Sequence, residues 1–401
     1  MYREINTAAP VLPYFEYFRW DGKVDQLPST LRKILGADGY QALQARVRWL
    51  KHERKAHTGL PFTRKLEMWR RGFFAESAVI YDFPANDPRW YVTDYQHFCM
   101  GQRVNGWEGL YDHKLSLRAL LLAKGLRQAD TVAYIYEGKI LVQPFSGGAR
   151  YIEARELIDL LREEGEEASW IVKPEDGLRG EGLFMLRYES GEFWVQRGRQ
   201  VQEFDLEKFL EGLHPGMRGN AGAMLIERRL EQGAFWRSLF PESANTLRLQ
   251  TLWIPGEPEP FVARAVQRIG TVDTVPTDNW SGGGISSPVQ LETGRLGAGR
   301  IHPLKAPPER RGRLFTDHPD TGARIADVVL PHWERVTEVV LRAAASVPFN
   351  LLAGWDVLVD AEGVPVILEA NGNSDVNLLQ VHGGLLAEPR IQQFYRAVGV
   401  V

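Results

Sequence analysis

One cysteine, Cys99, stands in 401 residues. That excludes an intrachain disulfide and gives no sign of an oxidising compartment. No stretch reaches the ~18 consecutive apolar residues that a membrane-spanning helix needs. The opening "MYREINTAAPVLPYFEYFRW" is interrupted by Arg3, Glu4, Glu16 and Arg19 and lacks the apolar segment of a signal peptide. Neither sign of charge dominates: 48 basic against 51 acidic residues leave a net charge of −3, so there is no global reason to bind nucleic acid. The histidines His302, His318, His332 and His382 are scattered singly, which speaks against a histidine metal site. No Ser-His-Asp or Cys-His arrangement is evident, and no internal repeat marks a solenoid. A cytoplasmic protein is expected.

The composition, 44% hydrophobic and 25% charged, is that of a soluble globular protein. The length calls for two or three lobes rather than one core. The first third reads as helical: "DGYQALQARVRWLKHERK" sets Tyr40, Leu43, Val47 and Leu50 on one face. Nine basic residues between Arg46 and Arg71 face only Glu53 and Glu67. This run reads either as the solvated face of surface helices or as a patch for an anionic co-substrate or membrane surface. Around residue 80, "AVIYDFPANDPRWYVTDYQHF" suggests aromatic strands separated by turns at Pro84–Pro88.

From residue 113 short helices and strands alternate. "HKLSLRALLLAKGL" predicts a helix ending at Gly125, and "TVAYIYEGKILVQPF" a strand pair about Glu137–Gly138. "ARELIDLLREEGEEA" predicts a helix with Leu157, Leu160 and Leu161 inward, and "SWIVKP" a buried strand stopped by Pro174. This texture indicates a mixed α+β ligand-binding architecture.

Two stretches carry the chemistry. "GWDVLVDAEGVPVILEANGN", residues 354–373, is a hairpin about Asp360–Gly363. With a four-residue loop, Val359 pairs with Val364 and Asp356 lies opposite Ile367. Glu369 then sits diagonally across from Asp356, roughly 7–8 Å away, and Asn371 follows on the same side. Two carboxylates so close repel unless a cation sits between them. Mg²⁺ suits the place, because it prefers oxygen ligands and is usually held by a few carboxylates plus substrate phosphates. The alternative is a polar hairpin face that meets water. In "SWIVKPEDGLRGEGLF", residues 169–184, Lys173 precedes a loop carrying Gly177, Gly180 and Gly182. Glycines let backbone N–H groups approach phosphate oxygens, and the lysine adds a fixed charge. The spacing is neither GxxxxGK[ST] nor GxGxxG. The alternative is a flexible hairpin turn.

Lys114 in "YDHK", Lys173 before its glycine loop, "LIERRL" at 225–230, "NTLRLQTL" at 245–252 and "WDV…ILEANGN" together resemble the ordered landmarks of the ATP-grasp superfamily. "NTLR", "QRIG" at 267–270, "DNWSGGG" at 278–284 and "GWDV" resemble its sugar-transfer-associated group, and the likeness covers roughly residues 65–383. The resemblance implies an α+β ATP-grasp fold, with two α+β lobes clasping ATP after a largely helical N-terminal region. Its parts are a lead-in over 1–112, a small lobe over 113–230 and a large lobe with the metal site over 231–401. It implies that Lys114 and Lys173 contact the nucleotide phosphates beneath the loop of Gly177, Gly180 and Gly182. Glu227 and the backbone to Leu230 would meet adenine, and Glu231 the ribose. Asp356, Glu369 and Asn371 would hold Mg²⁺, with Mn²⁺ an admissible substitute. Arg248, Arg268 and Asn279 would face the transferred phosphate and acyl group.

The function expected from this likeness is an ATP-dependent ligase that joins a carboxylate to an amine, or to a thiol. The reaction would pass through an acyl phosphate and release ADP and phosphate, with a sugar acid or amino acid as substrate. Phosphorylation of a small-molecule hydroxyl and non-catalytic nucleotide binding are the alternatives. The partners expected are small molecules, with no nucleic acid and no membrane span. The oligomeric state stays open, a dimer included.

Overall fold

The computed structural model describes residues 29–55, 58–100, 104–175, 182–197, 200–213, 223–372 and 374–401. The chain divides into two compact units, Met1–Arg48 and Trp49–Val401. In the first, the described chain is the start of the helix Ser29–Lys55, whose helical dihedrals are interrupted at Gly36 (φ 71°, ψ 176°). Among the described residues no helix is long and apolar enough to cross a membrane.

The second unit holds two antiparallel sheets. The first has eight strands: β1 (Thr131–Tyr136), β2 (Lys139–Val142), β3 (Arg150–Ile152), β4 (Ser169–Pro174), β5 (Phe184–Glu189), β6 (Glu192–Arg197), β7 (Gln200–Glu203) and β8 (Ala223–Arg228). Their order is β3-β2-β1-β8-β4-β5-β6-β7. The second has six: β9 (Leu247–Leu252), β10 (Phe261–Ile269), β11 (Ile285–Pro288), β12 (Arg300–Ile301), β13 (Leu352–Val359) and β14 (Pro365–Asn371). Their order is β12-β11-β10-β9-β13-β14.

The β1–β2 turn forms where expected. Glu137 (φ 49°) and Gly138 (φ 79°) both take positive φ, as a two-residue hairpin of primed type requires. The helix Ala154–Glu163 buries Leu157, Ile158 and Leu161 against Trp170, Val172, Phe184 and Leu186. The six-stranded sheet is covered on both faces. On one, Leu247, Leu249, Trp355 and Val357 pack with Val336 and Val340 of the helix Trp333–Ala345. That core also takes Leu117 and Leu121 of the helix Lys114–Ala123. On the other face, Leu252, Val266 and Trp280 meet Met68, Phe73, Tyr81 and Tyr91, together with Leu378, Leu385 and Phe394.

The stretch around residue 80 differs from expectation. Instead of aromatic strands it forms short helical turns at Ser77–Ile80 and Pro88–Trp90. Its aromatic residues bury irregularly, and its backbone donors, with those just before it, are satisfied by local turn bonds and by side chains rather than by a ladder. Phe74 N donates to Asp94 (2.7 Å), Ala75 N to Glu53 (3.0 Å) and Val92 N to Gln380 (2.8 Å). A segment whose N–H groups are capped in this way has no need of a neighbouring strand.

The hairpin register also differs. Val359 pairs with Pro365, and an irregularity between Asp356 and Val357 sets Asp356 directly opposite Glu369. The turn takes one residue more than a four-residue loop: Asp360 N donates to Val364 O, and the Asp360 carboxylate accepts from the Glu362 and Val364 amides. The bulge adds the second residue of offset. The two carboxylates therefore stand closer than the diagonal placement predicted.

Candidate functional site

Arg248 lies on β9, whose alternation sends Arg248 and Gln250, with Thr246 just before the strand, to one face and Leu247 and Leu249 into the core opposite. Asp356 is its cross-strand partner on β13. Gly354 on β13 is required as glycine, because an added Cβ would run into Ser374 Oγ. This approach lets Arg248 donate through Nη1 to Ser374 Oγ at 3.0 Å, while Nε and Nη2 grip both oxygens of Asp356. Arg268 on β10 donates to Asp356 (3.2 Å), Asp278 (2.7 Å) and Thr246 Oγ1 (3.1 Å). Asp278 in turn accepts from the backbone and hydroxyl of Thr246, both at 2.6 Å. Among the described residues three of the five N–H donors on each guanidinium are thereby used.

The two facing carboxylates differ. Asp356 is 2% exposed. Burial pushes its carboxyl up, but Arg248 and Arg268 outweigh burial and hold it well below the usual carboxylate range. Glu369 moves the other way: burial and the adjacent Asp356 raise it, with Lys114 only partly offsetting them. Asn371 follows two residues on, and its amide nitrogen is buried without a hydrogen-bond partner among the described residues. The amide orientation is interchangeable, so the same group can turn its oxygen toward a cation. Among the described residues no three His, Cys, Asp or Glu side chains group as a metal cage. The oxygen set here is two carboxylates and one amide. An under-neutralised Glu369 beside an unsatisfied Asn371 is the environment a hard cation would relieve, so these residues fit Mg²⁺.

The other cations come from the eight-stranded sheet and the helix Lys114–Ala123. Lys173 on β4 is 9% exposed and pairs with Glu227 Oε2 at 2.9 Å. Burial lowers its ammonium, Glu227 opposes this, and the neighbouring Arg118 and Lys114 lower it further. Glu227 on β8 is pushed up by burial, but Lys173 and Arg118 prevail and keep it ionised. Lys114, 8% exposed, donates to the Glu175 carbonyl at 2.9 Å. The Glu175 carboxylate meets His113 Nδ1 at 3.1 Å. Lys114 thus acts electrostatically on Lys173 and on Glu369 at once, linking the two charged groups.

The remaining expected residues are placed as follows. The Glu227 carboxylate is occupied by Lys173 and Arg118. Leu230 and Glu231 lie just past β8 on the segment that joins the sheets, where Gln232 bridges Asp360 and Gly233 N donates to Val359 O at 2.9 Å. Glu231 is exposed and pairs with Arg229 at 3.1 Å. Gly182 has φ 77°, and a Cβ there would stand 2.9 Å from Pro174 Cγ. Gly177 and Gly180 lie outside the described residues. Asn279 accepts from Ser281 N and Oγ at the start of the short Trp280–Gly282 turn. Asp278 beside it is the residue that holds Arg268.

Sequence reasoning passed over Arg118, Thr246 as a ligand of Asp278, Asp278 itself and Ser374. Thr246 and Asp278 stand within "NTLR" and "DNW", so their motifs were visible. The pairing partners of Ser374 and Arg118 depend on folds of the chain more than 100 residues apart.

The profile of a family described as sugar-transfer associated ATP-grasp matches residues 108–396. Comparison with curated proteins finds no match. Similar solved structures include an L-amino acid ligase from Bacillus licheniformis, at 12% identity over 66% of this chain and 41% of that one, with a TM-score of 0.33. A D-cycloserine synthetase is similar at 15% identity over 72% of this chain and 70% of the other, TM-score 0.36. D-alanine–D-alanine ligase from Bacillus anthracis is similar at 14% identity over 72% and 66%, TM-score 0.35. The chain spans about two-fifths of the first of these.

Proposed function

The chain belongs to the sugar-transfer associated ATP-grasp family and has the ATP-grasp fold, and on that basis we propose that it is an ATP-dependent carboxylate–amine ligase. What carries the reading is one arrangement. Lys114, bonded to the Glu175 carbonyl just past the strand of Lys173, lies within electrostatic reach of Lys173 on one sheet and of Glu369 on the other, and Arg248 and Arg268 grip Asp356 opposite Glu369. Residues 113–230 form the small lobe in this account, 231–401 the large lobe, and 1–112 the lead-in.

A substrate carboxylate oxygen attacks the γ-phosphorus of ATP, and the bond to the bridging oxygen breaks with its electron pair leaving on ADP. The amine then attacks the acyl carbon, the acyl–oxygen bond breaks to release phosphate, and the nitrogen loses a proton. Phosphoryl transfer needs positioning and cations more than covalent help from the protein. Lys114 and Lys173 bind the nucleotide phosphates. Arg248 and Arg268 orient the carboxylate and meet charge as it develops on the transferred group. A Mg²⁺ ion bound by Asp356, Glu369 and Asn371 would supply neutralisation of the β- and γ-phosphates.

Pairs of acids, sugar acids and amino acids included, should be incubated with amines, ATP and Mg²⁺, and the products identified by mass spectrometry. ADP that appears only when acid and amine are both present, with a condensed product, supports the ligase. ADP formed with an alcohol in place of both indicates a kinase, and no turnover with any pair indicates a binding module.

A further inference from the structure

Arg118 has no place in the chemistry above, yet it is 2% exposed and touches the centre of it. A long cation is rarely buried so deeply unless it is paired. Arg118 donates through Nη1 to Thr131 Oγ1 at 2.5 Å and to Glu227 Oε1. The other oxygen of Glu227 holds Lys173. Thr131 and Glu227 are cross-strand partners between β1 and β8, and Glu227 faces Ile171 on β4, two residues before Lys173. Thr131, Glu227 and Lys173 therefore share one face of the eight-stranded sheet.

The helix that carries Arg118 is anchored elsewhere. Its Leu117 and Leu121 lie in the core of the six-stranded sheet. Lys114 precedes Arg118 by four residues, so both side chains project along one helical face. That face meets the eight-stranded sheet twice. Lys114 bonds the Glu175 carbonyl beyond the end of β4, and Arg118 bonds Glu227 on β8. One helix thus ties the core beneath the Asp356–Glu369 pair to the strand bearing Lys173.

We propose that Arg118 is a positioning residue for the nucleotide: acting through Glu227, it fixes the Lys173 ammonium relative to Lys114 and the opposite sheet. The inference rests on the nucleotide role of Lys173. Arg118 itself touches no phosphate. Its effect is to leave Glu227 with one geometry, gripped from both ends, so that Lys173 enters ATP binding already ordered.

The test is binding of a non-hydrolysable ATP analogue, measured by calorimetry on the full chain, with thermal unfolding recorded beside it. Arg118→Met preserves volume and leaves Glu227 paired with Lys173, so the protein should stay folded. Affinity should fall roughly tenfold, the factor equivalent to about 1.4 kcal/mol. Arg118→Lys, which keeps the charge but not the forked reach, should lie between parent and Arg118→Met. Because Arg118 acts through Glu227, the double variant Arg118→Met/Glu227→Gln should bind no more weakly than Glu227→Gln alone. A merely structural arginine would lower the unfolding temperature without this non-additive loss of affinity. Parent-like affinity in Arg118→Met, or additive losses in the double variant, would overturn the inference. A parent chain that does not bind the analogue would overturn the nucleotide reading itself, and the inference with it.

Discussion

Glu369 and Asp356 face each other across one strand pair, yet their replacement should have opposite effects on stability. Directly opposed residues on antiparallel strands stand about 5 Å apart. Two unit charges at that separation repel by about 3 kcal/mol at an effective dielectric of about 20. Arg248 and Arg268 already neutralise Asp356, so this figure is an upper bound. The folded protein holds Glu369 above its unfolded value. Its stabilising contribution is therefore complete below the unfolded value and is lost as pH rises through the folded one. Glu369→Gln removes that loss, and without metal at pH 8 it should unfold at a higher temperature than the parent. Asp356 is shifted downward, so its contribution is present above the unfolded value and lost only in acid. Asp356→Asn takes from buried Arg248 its carboxylate partner, while Arg268 keeps Asp278, and should cost about 3–5 kcal/mol. Thermal unfolding at pH 5 and pH 8, with and without Mg²⁺ and an ATP analogue, reads both effects. The Glu369→Gln gain should shrink at pH 5, and Mg²⁺ should no longer add stability to this variant. A lower unfolding temperature for metal-free Glu369→Gln at pH 8, or a higher one for Asp356→Asn, would refute the electrostatic account of the pair.

Arg268→Lys should lower kcat by roughly a hundredfold, the scale of one lost transition-state donor, while ATP affinity stays within a few-fold; an equal loss in both would remove Arg268 from the chemical step. Arg268→Ala is a poorer probe, since it abandons Asp278 and Asp356 together. Asp94 is buried beneath the Phe74–Ser77 turn, and burial above all pushes its carboxyl up from the ordinary 3.8 to about 7. Its contribution to stability is complete near pH 4 and is lost as pH rises through about 7. Asp94→Asn should recover up to about 4 kcal/mol at pH 8, and unchanged pH dependence of unfolding would show that Asp94 does not titrate there. Lys173→Met should weaken nucleotide binding by at least roughly tenfold and also destabilise the chain by leaving Glu227 with Arg118 alone; parent-like affinity would count against Lys173 as a phosphate contact.

Much of this was legible in local sequence. The helix Lys114–Ala123 ends next to Gly125, whose φ of 68° only glycine adopts easily. The helix Ala154–Glu163 puts its predicted leucines inward because a period of 3.6 suffices to aim them. β9 sends Arg248 and its alternate neighbours to one face for the corresponding reason, a period of two. The hairpin register was not legible to the same degree. It depends on one extra turn residue and one bulge, and each moves Asp356 relative to its partner without altering the apolar pattern. The stretch around residue 80 misled because aromatic density is shared by strands and by irregular buried segments. Its conformation is set by local turn bonds, by its own Asp94 reaching back to Phe74 and Ser77, and by Gln380, which meets Val92 from 288 residues away. The lysine and arginine motifs announced charge, but their counter-charges Glu227, Asp278 and Asp356 emerge only once the strands are paired.

The central claim is that a substrate carboxylate is activated by attack on the γ-phosphate. With an acid and amine pair that supports turnover, the carboxylate can be supplied with heavy oxygen in both positions and the products followed by mass spectrometry. The account predicts ADP, one heavy oxygen transferred to each orthophosphate, and the other retained in the amide. AMP with pyrophosphate, or orthophosphate carrying no label, would contradict it.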